Sequence, residues 1–163
     1  MITRLTIVAA ILFALAAGAL AQQDTTFHQV PGKMPPYAGA IVQEPVYNDL
    51  PSAGKKCWIG EAYYFKWKFD KKPKLGTAIL IVQLFDNKDK RITSLEVTGA
   101  SDMPSMRGAH DSGEVPFQLN KKGDYLMPVN VVMPGEWEVK LVFLKGKEPV
   151  FRGRITFRYK RLH

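Results

Sequence analysis

Apolar residues occupy every second position along most of the chain after Cys57. Tyr63, Phe65 and Trp67 share one parity, and residues 124–144 show the same alternation. A period of two marks strands that bury one face, and no helical period of comparable length is evident. Short strands at regular spacing over about 105 residues are typical of an immunoglobulin-like sandwich. The pattern therefore predicts an all-β, immunoglobulin-like β-sandwich of about seven strands, preceded by an extended N-terminal arm.

The same alternation places the individual strands. They are predicted over residues 57–69, 77–85, 91–98, 116–119, 124–132, 136–144 and 150–159. The second strand is apolar on both parities, which predicts a central strand covered on both faces. Pro128 lacks an N–H and is therefore predicted at a sheet edge or a bulge. Trp137 is predicted to enter the core after a type II turn in which Gly135 takes a positive φ.

The N-terminus predicts export. Arg4 precedes an apolar run from Leu5 to Leu20, and Ala19-Leu20-Ala21 forms a cleavage signal before the polar Gln22. The run is shorter than the ~20 residues that a membrane-spanning helix needs. We predict a cleaved signal peptide over residues 1–21 and a periplasmic or secreted protein. The alternative is an uncleaved anchor that holds the same domain on the periplasmic side of a membrane.

Residues 22–56 contain proline and glycine too densely for a helix or a long strand. They predict an arm that is laid partly on the domain from about Ile41 onward. The sandwich domain itself is predicted over residues 57–163. The only cysteine, Cys57, excludes an intramolecular disulfide, so this domain must rely on its hydrophobic core. Cys57 is predicted to be a small buried residue of that core.

The charge of the chain bears on its partners. It carries 23 Lys and Arg residues against 15 Asp and Glu, a formal net charge of +8. A basic chain can bind nucleic acid, but predicted export argues against that partner. Basic residues alternate along the last strand from Arg152 to Arg161, which predicts a solvated face with some attraction for anionic lipid headgroups.

The residues needed for common hydrolytic sites are missing. The three histidines, at positions 28, 110 and 163, belong to no H-E-x-x-H zinc motif, and no G-x-S-x-G nucleophile motif is present. No glycine-rich phosphate loop precedes a predicted helix. We therefore predict a protein that is not an enzyme and has no evident small-molecule substrate.

Soft metal donors are concentrated in one loop. Met103, Met106 and His110 supply two thioethers and one imidazole within a stretch broken by proline and glycine. These neutral donors suit Cu(I). Met127 and Met133, on and after a neighbouring predicted strand, are predicted as further ligands if the fold brings them near. A second interpretation stays open, in which the methionines fill gaps in the core.

Three segments resemble a known family. They are Met103-Pro104-Ser105-Met106, Gly123-Asp124-Tyr125, and the run from Val132 to Trp137 that reads VMPGEW. In this pattern the chain resembles the FixH and YtkA-like group over about Trp58 to Tyr159. The resemblance implies a small extracytoplasmic β-sandwich associated with copper supply to, or assembly of, haem–copper oxidases. FixH proper is anchored in the membrane, whereas this chain has a predicted cleavable signal and a proline-rich arm.

Two functions are therefore expected. The first is an exported, non-catalytic accessory protein that binds or delivers copper as Cu(I), in oxidase assembly or copper homeostasis, with a membrane respiratory or envelope complex as its partner. The alternative is a metal-free periplasmic interaction module. In that case the edge and the basic face of the sandwich would dock a membrane or envelope complex.

Overall fold

The structure is a computed structural model, and it describes residues 44–161. The predicted signal peptide and the first part of the predicted arm lie outside the described residues. Every described strand belongs to one compact unit. Among residues 44–161, no helix has the length and apolar character that would let it cross a bilayer.

The described chain forms ten strands and one short 3-10 helix. The strands are β1 (Asn48–Asp49), β2 (Cys57–Ile59), β3 (Tyr63–Phe69), β4 (Gly76–Asp86), β5 (Glu96–Asp102), β6 (Val115–Pro116), β7 (Gln118–Leu119), β8 (Tyr125–Val131), β9 (Gly135–Lys145) and β10 (Glu148–Tyr159), and the 3-10 helix is Pro104–Met106. The prediction of an all-β sandwich is confirmed.

The strands form two five-stranded sheets. Sheet A has the order β1-β10-β9-β5-β6, and sheet B has the order β2-β3-β4-β8-β7. Their facing sides form the core, whose largest fully buried side chains are Trp137, Phe65, Phe143, Leu80, Leu84, Met127, Leu141 and Ile155. Apart from Leu80 and Leu84, whose strand is apolar on both parities, each of these residues has the inward parity that the alternation of its strand predicts, because successive side chains of a strand point to opposite faces.

Four strand predictions need correction. The strand predicted over residues 57–69 forms two antiparallel strands, β2 and β3. The third strand begins at Glu96 rather than Arg91, because tertiary hydrogen bonds hold the preceding segment: Arg91 donates to the Gly123 carbonyl and the Leu95 carbonyl accepts from the Tyr125 hydroxyl. The predicted strand 116–119 divides between the sheets as β6 and β7. The outer face of β4 is half-buried rather than covered.

The last part of the predicted arm belongs to sheet A. Asn48 and Asp49 pair in parallel with Gly153 and Arg154 of β10. The Leu50 side chain lies so close to Gly153 that a Cβ there would approach its Cδ2 to 2.8 Å. The predicted domain boundary at Cys57 therefore falls after the first strand of the sheet.

One side of the sandwich is open between β5 and β8. β6 pairs with β5 only at Thr98 and Gly99. β7 pairs only with the first two residues of β8. Beyond these pairs, β5 and β8 are the edges of their sheets. Pro128 is exposed, and it lies where β8 has β4 on one side and no described strand on the other. Its prediction as an edge residue is therefore confirmed. The methionine- and histidine-containing loop begins at the same place, where β5 ends.

Candidate metal centre

The loop from Met103 to Ser112 is tied to the end of β5. Asp102 accepts hydrogen bonds from the backbone N–H groups of Met103 and Gly108, at 2.7 and 3.1 Å. The Ser112 N–H donates to the Ser101 carbonyl at 3.0 Å, and the Ser112 hydroxyl accepts from the Ser101 N–H at 2.9 Å. Both ends of the loop are therefore fixed to the edge strand.

An ion pair that the sequence pattern did not suggest holds the middle of the loop. Arg107 contacts the carboxylate of Glu138 on β9 at 2.9 Å, and Lys140 approaches the same carboxylate at 3.6 Å. Glu138 is 2% exposed, although it has the outward parity of its strand. The loop therefore folds back across the outer face of sheet A, and this contact fixes the position of the residues on both sides of Arg107.

Met103 is buried at the end of the core. It is 2% exposed, and its methyl group occupies the space beside Gly135, where a Cβ would lie 2.5 Å from Met103 Cε. Gly135 has a φ of +149°, so the predicted positive φ is confirmed. A type II turn needs about +80°, so that turn prediction is wrong. Gly135 instead begins β9, and its missing side chain makes room for Met103.

His110 lies over the indole of Trp137. Their ring centroids are 6.2 Å apart, at an angle of 40°. The two rings line a pocket of about 220 Å³ on the open side of the sandwich, with Ser101, Asp111, Ser112, Pro128, Asn130 and Val132. Trp137 itself is 1% exposed, which confirms its predicted burial. The imidazole is half-buried, so its ring can reach the pocket and solvent.

Met133 joins the same group from the connection between β8 and β9. It is partly buried against the core, and its carbonyl accepts the indole N–H of Trp137 at 3.2 Å. Met103, Met133 and His110 are thus each in contact with, or adjacent to, the first three residues of β9. Met106 lies further out, 43% exposed at the end of the 3-10 helix. The fold brings these four predicted ligands to one end of the molecule.

Met127 lies elsewhere. It is fully buried in the middle of β8, and a Cβ on Gly99 would be 2.9 Å from its Sδ. Gly99 is paired with Leu141, six residues along β9 from the Gly135 that contacts Met103. Gly99 also lies four residues before Met103 in the chain, so at ~3.3 Å per residue the Met127 sulfur lies beside a point ~13 Å from Met103. The fold therefore does not bring Met127 to the loop, and its surroundings are those of a core residue.

Other side chains that commonly bind metals do not form a second candidate site among the described residues. In the described part of the chain, no three His, Cys, Asp or Glu side chains are grouped so that they could hold one metal ion. Cys57 is buried, as predicted, and burial raises the pKa of its thiol to about 11. The thiolate needed for metal binding is therefore disfavoured there. Among the described residues, the methionine thioethers and the His110 imidazole therefore remain the candidate soft donors.

Together these features define a small β-sandwich whose loop after β5 brings methionine and histidine residues to one end of the sheets. The family model described as YtkA-like matches residues 60–142, which include β3 to most of β9 and the whole loop. This is about half of the chain, and the chain belongs to the YtkA-like family. No curated protein matches the chain.

Proposed function

We propose that this protein is an exported, non-catalytic accessory protein that binds Cu(I) at the end of the sandwich where Trp137 begins the core. The observation that carries the proposal is that Met103, Met133 and His110 each contact or adjoin the first residues of β9: the Met103 methyl lies beside Gly135, the Met133 carbonyl accepts from the Trp137 indole, and the His110 ring lies 6.2 Å from that indole. Met106 is the fourth donor, at the exposed mouth of the site. Met127 is left out because of its distance.

The donor chemistry fits monovalent copper. Thioethers are neutral and soft, so they bind Cu(I) without losing a proton, and imidazole also suits copper. The face of the Trp137 indole is negative and favours a cation beside it. A half-buried His110 and an exposed Met106 leave one side of the site open to solvent. A site that is open on one side suits a protein that receives copper and passes it on to a membrane respiratory or envelope complex.

An anaerobic titration with Cu(I) against a competing chelator tests the site. The protein used is the chain from Gln22, which contains every described strand. We expect one Cu(I) per chain, and about a tenfold or greater loss of affinity in each of M103L, M133L and H110N, since even indirect changes around a metal weaken binding by ~10–100-fold. Leucine conserves the volume of methionine and keeps the core packed.

M127L is the matched control. It removes one buried sulfur in the same way, but from the core beside Gly99, ~13 Å along the chain from Met103. Its Cu(I) affinity should equal that of the unchanged chain. Unchanged affinity in M103L, M133L and H110N together would rule out the proposed site and leave the methionines as packing residues. An equal loss in M127L would show that lost packing, and not lost ligands, explains the result.

A further inference from the structure

A cluster of basic side chains lies at the same end of the sandwich as the loop. Lys72 and Lys74 belong to the connection between β3 and β4, and Arg158, Lys160 and Arg161 lie at the end of β10. Together with Pro73 and Tyr159 they line a groove of about 550 Å³. The antiparallel pairing of β10 with β9, and of β9 with β5, places this groove at the end where β5 gives way to the methionine-containing loop.

In the described part of the chain, the lysines of this cluster form no ion pair. On β10, Arg154 pairs with Asp49, and Arg158, which lines the groove, pairs with Glu136, at 2.8 and 2.9 Å. Within residues 44–161, no Asp or Glu side chain forms an ion pair with Lys72, Lys74 or Lys160. These three lysines therefore give the groove positive charge that no ion pair of the described residues neutralises.

Two exposed aliphatic side chains accompany the basic cluster. Leu75 and Val132 are each 54% exposed. Gly76 pairs with Val131 in the antiparallel ladder of β4 and β8, so the next residue on each strand, Leu75 and Val132, comes opposite the other. An aliphatic pair beside lysines is a poor surface for water and a good one for the boundary between lipid headgroups and acyl chains.

We infer that this end of the sandwich docks on the surface of a bilayer that contains anionic phospholipid. The lysines and arginines would contact the phosphate groups, and Leu75 and Val132 would enter the headgroup layer. An anionic surface attracts each nearby basic residue, and binding also scales with the apolar area that is buried. A purely acidic partner would require the charge but not the aliphatic pair, which is why the lipid surface is the better match.

Docking of this kind would have a consequence for the loop. Because the groove and the loop from Met103 to Ser112 lie at the same end, a docked molecule would hold its soft donors close to the bilayer. The proposed docking does not require copper, so it can be tested separately from the proposed Cu(I) site.

Vesicle sedimentation tests the inference on the chain from Gln22. The vesicles contain equal parts of phosphatidylglycerol and phosphatidylcholine, and pure phosphatidylcholine is the reference. One lysine near an anionic surface is worth roughly a fivefold factor in partitioning, so the triple variant K72Q/K74Q/K160Q should lose roughly 100-fold. The matched control K121Q/K122Q/K147Q removes the same charge from exposed loops at the other end and should lose little.

A second pair of variants separates a lipid surface from an acidic ligand. L75S/V132S should weaken vesicle binding several-fold, whereas L119S/V150S, which removes an exposed leucine and valine elsewhere, should leave it unchanged. Equal losses in the two lysine triple variants would overturn the inference in favour of diffuse net charge. Full binding by L75S/V132S, with polyglutamate displacing the protein from the vesicles, would overturn it in favour of an acidic protein partner.

Discussion

At the scale of single residues, Trp137 connects the core to the candidate site. Its indole is 1% exposed, lies 6.2 Å from the His110 ring, and donates its N–H to the Met133 carbonyl. The same side chain thus fills the end of the core and forms one wall of the pocket on the open side. Truncating it should therefore affect both the stability of the fold and the geometry of the donor cluster.

We expect Trp137→Ala to lower the free energy of unfolding by about 3–5 kcal/mol, the usual range for removing a buried aromatic ring. Urea denaturation followed by circular dichroism measures the loss. Trp137→Phe keeps a ring in the core and should lose clearly less, so it also serves if the alanine variant does not fold. A loss below about 1 kcal/mol in Trp137→Ala would contradict the burial of the ring.

At the scale of secondary-structure elements, Asp124 joins β8 to the segment that connects β4 and β5. Its carboxylate accepts hydrogen bonds from Arg91 and Gln83 at 2.8 Å and from Asn120 at 3.2 Å. Burial by itself would raise the pKa of Asp124, but the hydrogen bonds from these three side chains outweigh it and lower the pKa below the ordinary value of 3.8. The folded state therefore favours the ionised carboxyl.

This lowered pKa predicts a pH dependence of stability. A carboxyl whose pKa is depressed by folding stabilises the protein above its ordinary pKa, and this contribution is lost as the pH falls through the lower folded value. Asp124→Asn should therefore be about 2 kcal/mol less stable than the unchanged chain at pH 7, the scale of hydrogen bonds to a charged group. The difference should shrink as the pH is lowered below about 4. A difference that stays constant from pH 7 to pH 2 would contradict this account.

Local patterns predicted much of the fold and less of the site. The inward parity of β8 and β9 could be read from the sequence, since a period of two needs only neighbouring residues. The separation of Met127 from Met103 could not, because it depends on which residue of the facing sheet Met127 packs against, here Gly99. The burial of Glu138 also escaped prediction, since it results from Arg107 folding back from a loop 31 residues earlier in the chain.

At the scale of the whole molecule, the methionines fall into two groups by position. Met103 lies beside Gly135 and the Met133 carbonyl contacts Trp137, both at the start of β9, whereas Met106 is exposed and Met127 belongs to the middle of the core. The soft donors lie at the end that also presents the basic groove and the exposed Leu75 and Val132. A copper site at this end would therefore face the surface on which the protein is proposed to dock.

Nuclear magnetic resonance of the methionine methyl groups tests this division most directly. The chain from Gln22 is labelled with carbon-13 at the methionine methyls, each signal is assigned by a leucine substitution, and Cu(I) is added without oxygen. The account predicts that the signals of Met103, Met106 and Met133 shift and saturate at one Cu(I) per chain, while the Met127 signal stays in place. Methyl signals of the loop that do not move at one equivalent of Cu(I) would contradict it.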